Sequence, residues 1–428
     1  MFYTSIKINI AFNKALLFFL FINCFLSNSF AQLPTIKNDS IVQKFYSINH
    51  QQLYWLSSGK NIKRALDWLT IIQSSDNSDM ISDKSEINQI RSEFYKKYSI
   101  DSTFIAQTDR KITAMVLSFL KLTQQGNVVF DYDEISISRD SLYISQLMNS
   151  KSKRSVSKLI SRLQCKDPDF LVLKKYLNDS ISKKDTVKYK TILLAMNYRK
   201  YFTFNHQSEY IMVNIPTAEA EYFSNDTLRL KMRAVLGKKK NPTPSISSYI
   251  TSIVTFPSWN VPYSIAVKEI LPKVKKDENY LEQHDFEVID GKGNAVEESE
   301  LNWGNYNESN FPYYFRQSTG SENSLGVLKF YLQNPFSIFL HATSWQGVFA
   351  KEDRFLSHGC IRLEKPFDLA KAILKGKLDI EELKNGKKNT ESNTIGLVHK
   401  IPTFIIYSPA IVVEGKVSFL KDVYGLIK

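Results

Sequence analysis

The residue types best suited to chemistry lie in one stretch, Ser337 to Leu363, which reads SIFLHATSWQGVFAKEDRFLSHGCIRL. Cys360 has one histidine two residues upstream, His358, and a second 19 residues upstream, His341. A thiol attacks a carbonyl only as the thiolate, so it needs a nearby base or a lowered pKa. Either histidine can serve as that base. Gly359 leaves the backbone open at the turn, so the N–H groups of Gly359 and Cys360 can face a developing oxyanion. Arg362 adds a planar cation suited either to a carboxylate or to a structural pair. Together these are the parts of an acyl-transfer site. The alternative is a structural loop whose histidines cap or pack, but the compact run Ser357-His358-Gly359-Cys360-Ile361-Arg362 after a strand-ending histidine tips the reading toward chemistry.

The elements that must hold this loop are mainly strands. Tyr210 to Ile215 is an apolar, β-rich run. Ala220 to Phe223 and Leu228 to Val235 flank the turn Ser224-Asn225-Asp226, which is a hairpin pattern. Leu325 to Phe330 and Ile338 to His341 read as strands, Pro366 to Leu374 as a short helix with proline at its start, and Thr403 to Tyr407 as a closing strand. Between Asp277 and Ser324 the chain is polar and loop-rich. Residues 40–205 instead show helical periodicity, with Ile62, Ala65, Leu66, Leu69 and Ile72 on one face and Ile112, Met115, Val116, Phe119 and Leu120 on another.

The 428 residues carry three cysteines, too few for a disulfide scaffold. Cys165 ends an apparent helix and reads as a small core residue, free or paired. Cys24 lies in the N-terminal segment, where Lys7 and Lys14 precede the apolar run Ala15 to Leu26 and Ser29-Phe30-Ala31 offers a cleavage site. Residues 1–31 thus read as a secretory signal, with an uncleaved anchor or a lipoprotein signal on Cys24 as the alternatives. Removing them takes away two lysines and no acid, so the formal charge falls from +13 to +11. A basic exported protein suits a polyanionic envelope, although lysine also serves plain solubility. No nucleic-acid motif accompanies the charge, and the six scattered histidines suggest no metal site.

His341 with the Ser357–Arg362 run resembles the signature of the L,D-transpeptidase family, whose catalytic domain is of the YkuD type. The segments Ile211-Met212-Val213-Asn214-Ile215-Pro216, Trp259-Asn260-Val261-Pro262, Ile270-Leu271-Pro272-Lys273-Val274, Asn323-Ser324-Leu325-Gly326 and Ile401-Pro402-Thr403-Phe404 are similar to its larger periplasmic, YcbB-like subgroup. The resemblance covers most of residues 209–428. It implies an α+β multidomain protein: a signal at 1–31, an α-helical scaffold at 32–205, and at 206–428 a mainly β YkuD-type sandwich with an inserted cap at about 275–322.

The resemblance also implies the reaction. Cys360 attacks the carbonyl after the third residue of a donor tetrapeptide, releases D-alanine and passes the acyl group to an acceptor stem as a 3→3 peptidoglycan cross-link. His341 is the implied base, with His358 second, orienting the loop or assisting the oxyanion. Arg362, Trp259, Phe339 and Ser357 are the candidate substrate contacts, Trp259 as an aromatic wall or else a core residue. Phe339 stands where relatives offer a tyrosine hydroxyl, so backbone N–H groups would carry more of the oxyanion. No cofactor is implied. The implied partners are stem peptides and carbapenem-type inhibitors, and the location is the periplasm or cell envelope. Water in place of the acceptor would make an L,D-carboxypeptidase, and loss of the chemistry would leave an envelope-binding protein.

Overall fold

A computed structural model describes residues 39–75, 84–95, 102–180, 185–375, 379–385 and 390–427. The expected signal at 1–31 lies outside them. The described residues form two compact units, residues 39–120, 140–159 and 425–427 in one and 121–139 and 160–424 in the other.

The first unit is helical, as its periodicity predicts. Its core is aromatic and aliphatic, with Phe45, Trp55, Trp68, Leu69, Ile72, Ile112, Val116, Phe119, Tyr143 and Leu147 all fully or almost fully buried. Buried Asp109 accepts from the N–H groups of Tyr54, Trp55 and Leu56 at 2.8–2.9 Å and from the Tyr46 hydroxyl. A buried carboxylate survives only when its lone pairs are filled in this way. It ties the loop before the helix Gly59–Ser74 to the long helix Ser102–Gln125.

The second unit is β-rich. Its main strands are β1 (Glu209–Asn214), β2 (Glu219–Ser224), β3 (Thr227–Gly237), β4 (Ile246–Thr255), β5 (Leu328–Leu332), β6 (Leu340–His341), β7 (Phe355–Ser357), β8 (Ile361–Leu363) and β9 (Asn393–Ile406). Hydrogen bonding runs β4-β5-β6-β8-β3-β2-β1-β9, and β9 pairs back onto β4. The ladder therefore closes on itself. Length explains the closure: β9 has 14 residues, enough to pair with β1 on one side and β4 on the other. The inner face carries Leu328, Phe330, Leu340, Ile361 and Leu363, all with no exposure. Alternation along the strands sends Lys329, His341 and Arg362 to the other face.

Helices Pro168–Ser180 and Thr186–Phe204 belong to this β-rich unit, so its border does not follow the expected boundary at residue 205. Leu173, Leu177, Ile192 and Ala195 form a buried cluster with Ala410, and Tyr198 and Tyr201 form another with Phe404 and Ile406. Cys165 is a buried, free thiol in the first cluster, which settles it as a core residue.

The insertion between β4 and β5 is more ordered than its polar sequence suggests. Strands Trp259–Asn260, Tyr314–Gln317, Phe286–Ile289 and Ala295–Val296 form a separate four-stranded sheet in that spatial order. A helical stretch from Tyr263 to Val274 packs on it, with a π-helical turn at Ala266–Ile270. The two share a core of Val261, Ala266, Leu271, Val274, Leu281, Val288 and Phe315. The cap thus begins near Trp259, earlier than residue 275. Its apolar residues are spread among long polar connections, which hides the core from any short window.

Candidate active site

The Ser357–Cys360 loop is built from local backbone needs. Gly359 has φ +121, a conformation side chains rarely adopt, and a Cβ there would lie 3.0 Å from Ile338 Cδ1. Buried Ser357 closes the turn, donating its hydroxyl to the Cys360 carbonyl at 2.6 Å and accepting the Gly359 N–H at 3.1 Å. Thr243 fixes the far side, donating to the Gly359 carbonyl at 2.8 Å. Ser357 is therefore an internal brace rather than a surface for substrate. The Gly359 N–H is already used, so it does not face a developing oxyanion as expected. The Cys360 N–H has no partner among the described residues.

Cys360 is a free, half-buried thiol whose Sγ donates to the Ser337 carbonyl at 3.6 Å. That carbonyl is aimed by a left-handed Ser337, φ +56, inside a turn organised by Asn334. Asn334 accepts from the N–H groups of Phe336 and Ile338 and donates to the carbonyls of Leu332 and Ile338. Burial pushes the Cys360 thiol up, and the cations Lys329 and Arg362 pull it partly back.

Across the strands one row is fixed by register. Lys329 on β5 pairs with His341 on β6, which pairs with Arg362 on β8. His341 is 4% exposed, and its Nδ1 is buried without a partner among the described residues. Burial, then the Arg362 guanidinium and more weakly Lys329, lower its pKa to about 3 against backbone groups of Ala342 and Leu325. At neutral pH both the His341 imidazole and the Cys360 thiol are therefore uncharged. Phe339 sits edge-on to His341, ring centres 5.6 Å apart, and carries the Lys329 ammonium over its face at 4.0 Å. Among the described residues no three His, Cys, Asp or Glu side chains group as a metal would require.

This loop lies inside residues 208–381, which match the YkuD family, described as the L,D-transpeptidase catalytic domain. The chain carries an L,D-transpeptidase catalytic domain. Residues 40–177 match the scaffold domain family. A Haemophilus influenzae protein described as a candidate L,D-transpeptidase is 33% identical over 233 residues, 54% of this chain and 47% of its own length. The chain thus spans about half the length of that curated relative. Solved structures with some likeness include the catalytic domain of an Enterococcus faecium L,D-transpeptidase acylated by ertapenem. It is 14% identical, with 45% of this chain and 97% of that chain covered and a TM-score of 0.22. Another is Mycobacterium tuberculosis L,D-transpeptidase 1, 12% identical, with coverage of 46% and 61% and a TM-score of 0.17.

Within the L,D-transpeptidase domain, the structure gathers Cys360, His341, Phe339 and Arg362 on one sheet face. His358 is turned to the cap: its Nε2 lies 2.6 Å from Glu269 Oε1. A carboxylate only accepts, so that nitrogen is the donor. Lys238 Nζ stands 3.1 Å from the same nitrogen and 3.7 Å from the Glu269 carboxylate. Trp259 packs in the cap on Phe286, ring centres 6.2 Å apart. Sequence reasoning missed Lys329, Glu269, Ser337 and Asn334. Only Lys329 left a signal: it alternates with Leu328 and Phe330, which assigns it the face opposite the core.

Proposed function

We propose that this chain is an exported cysteine L,D-transpeptidase of the cell envelope that forms 3→3 cross-links between peptidoglycan stems. Cys360 loses its proton to His341 as Sγ attacks the carbonyl after the third residue of a donor tetrapeptide. The resulting oxyanion is met by the Cys360 N–H, the free donor at the turn. Collapse breaks the peptide bond, the His341 proton goes to the departing amine, and D-alanine leaves. The thioester is then attacked by the side-chain amine of an acceptor stem, whose proton returns through His341 while Sγ leaves. The thiol and imidazole start neutral, so no standing charge pair has to be kept dry between turnovers.

The observation that carries this reading is the free, half-buried Cys360 between a glycine-defined turn and the strand that bears buried His341, all within the matched catalytic domain. The test is intact-protein mass after incubation with a carbapenem, run on the parent and on Cys360→Ser. A single acyl adduct on the parent and none on the variant is expected. An adduct on a folded Cys360→Ser protein, or none on the parent, sinks the assignment. Muropeptides from a donor–acceptor mixture then report cross-link against hydrolysis.

A further inference from the structure

Lys329 and Arg362 flank His341 in one cross-strand row, on strands spaced about 4.8 Å apart. Both are half-buried. Several other cations of this unit have carboxylate partners, as Arg233 with Glu364, Arg316 with Glu287 and Lys231 with Glu219 and Glu221, and half-buried Arg354 is met by backbone carbonyls instead. Among the described residues neither Lys329 nor Arg362 has one. Lys329 lies over the face of Phe339, and Arg362 keeps a buried Nε without an acceptor among the described residues. A cation–π contact returns about 0.5–2 kcal/mol, less than a charge-assisted hydrogen bond with a carboxylate can. Two partly desolvated cations beside a nucleophile, short of anions, form a seat waiting for one.

We infer that Lys329, with Arg362, forms a seat for a carboxylate of the donor stem and so selects donors that carry that charge beside the scissile bond. The inference rests on the proposed transpeptidase reading. Its reach is right for the leaving residue. A C-terminal carboxylate on that residue stands about 3–4 Å from the scissile carbonyl carbon, because only the amide nitrogen and Cα intervene. Lys329 is the cross-strand partner of His341, and its ammonium lies 4.0 Å over the Phe339 ring, which is itself edge-on to His341, so the ammonium stands on the face where that carbon must come. Donors whose third residue bears a side-chain carboxylate offer the same chemistry from the retained part of the stem.

Three synthetic donor tetrapeptides separate these sources, using the full chain and a fixed acceptor. One has a free C-terminal carboxylate and diaminopimelate at position three. The second is its C-terminal carboxamide. The third has lysine at position three and therefore no side-chain carboxylate there. In the parent, loss of the seated carboxylate should lower kcat/KM by roughly 10–100-fold. Lys329→Met should lower kcat/KM for the first donor by a similar factor and leave the three donors nearly equal, while Lys329→Arg keeps the preference. The arm that carries the ratio, carboxamide or lysine, identifies which carboxylate is seated. Equal turnover of all three donors by the parent overturns the seat and leaves the transpeptidase reading standing. A Lys329→Met protein that is slower on all three by the same factor also overturns the seat. It would then assign Lys329 to the reacting centre. A parent inactive on every donor refutes both. The parent comparison needs no variant, so a misfolded Lys329→Met protein would not rescue the inference.

Discussion

The two faces of strands β5, β6 and β8 carry opposite kinds of residue. Leu328, Phe330, Leu340 and Ile361 are sealed inside, each with complete burial. One residue along, on the other face, the same strands offer Lys329, His341 and Arg362. The inner face gains from water exclusion at roughly 25 cal/mol per Å². The outer face gives some of that back, because His341 Nδ1 and Arg362 Nε are buried and unpaired among the described residues. Such an orphaned group costs about 1–3 kcal/mol. A period of two thus divides labour: one face makes the strands stable enough for the other to stay unsatisfied.

Substitutions can break or sharpen that contrast. The largest effect is expected inside. Phe330→Ala should cost roughly 3–5 kcal/mol of stability, since the ring is fully enclosed and its neighbours are held by the ladder. Denaturant unfolding checks it, and a loss below about 1 kcal/mol would mean the inner face is not the core it looks like. On the outer face, His341→Ala should slow Cys360 acylation by roughly 10²–10⁴-fold, which stopped-flow mixing with a carbapenem would read.

The same His341 substitution should behave oppositely toward acid. The folded imidazole takes a proton only near about 3, whereas the unfolded one does so near 6.5. Its neutral burial therefore contributes fully above pH 6.5, and that contribution drains away as the pH falls toward 3. The parent melting temperature should drop more steeply over that window than that of His341→Ala, and parallel curves would contradict the burial. The smallest effect belongs to Glu269→Gln, which keeps the contact with His358 but weakens its charge. We expect a loss in acylation rate of a few-fold, clearly less than for His341→Ala. An equal loss would move the base from His341 to His358.

Chemistry confined to a short stretch was legible in the sequence. Gly359, Cys360 and Arg362 lie within four residues, and His341 ends a visible strand, so the run exposes them as candidates. The hydrogen bond between Glu269 and His358 was not legible, because 89 residues separate its partners and neither is unusual where it stands. Lys329 was passed over for a different reason. In an alternating strand a lysine reads as solvent-facing, and only the register with His341 places it beside a buried imidazole. The helix Thr186–Phe204 falls within the stretch of helical periodicity, but periodicity tells which side is apolar and not what covers it. Its cover is the end of β9 and the strand that begins at Ala410. The use of the Gly359 N–H by Ser357 was also beyond reach, since both an open and a closed turn fit the same four letters.

The π-helical turn at Ala266–Ile270 has a consequence for how the cap is phased. Five residues share a loop that a regular helix would close with four, so the winding gains one residue just before Leu271. Every side chain on one side of the insertion is rotated by about 100° relative to where an unbroken helix would put it. Glu269 lies within that turn, and its meeting with His358 depends on this angular offset as much as on its own identity. The cap is therefore keyed to the Ser357–Cys360 loop by one surplus residue in a helix, a setting that changes in whole steps and admits no gradual adjustment.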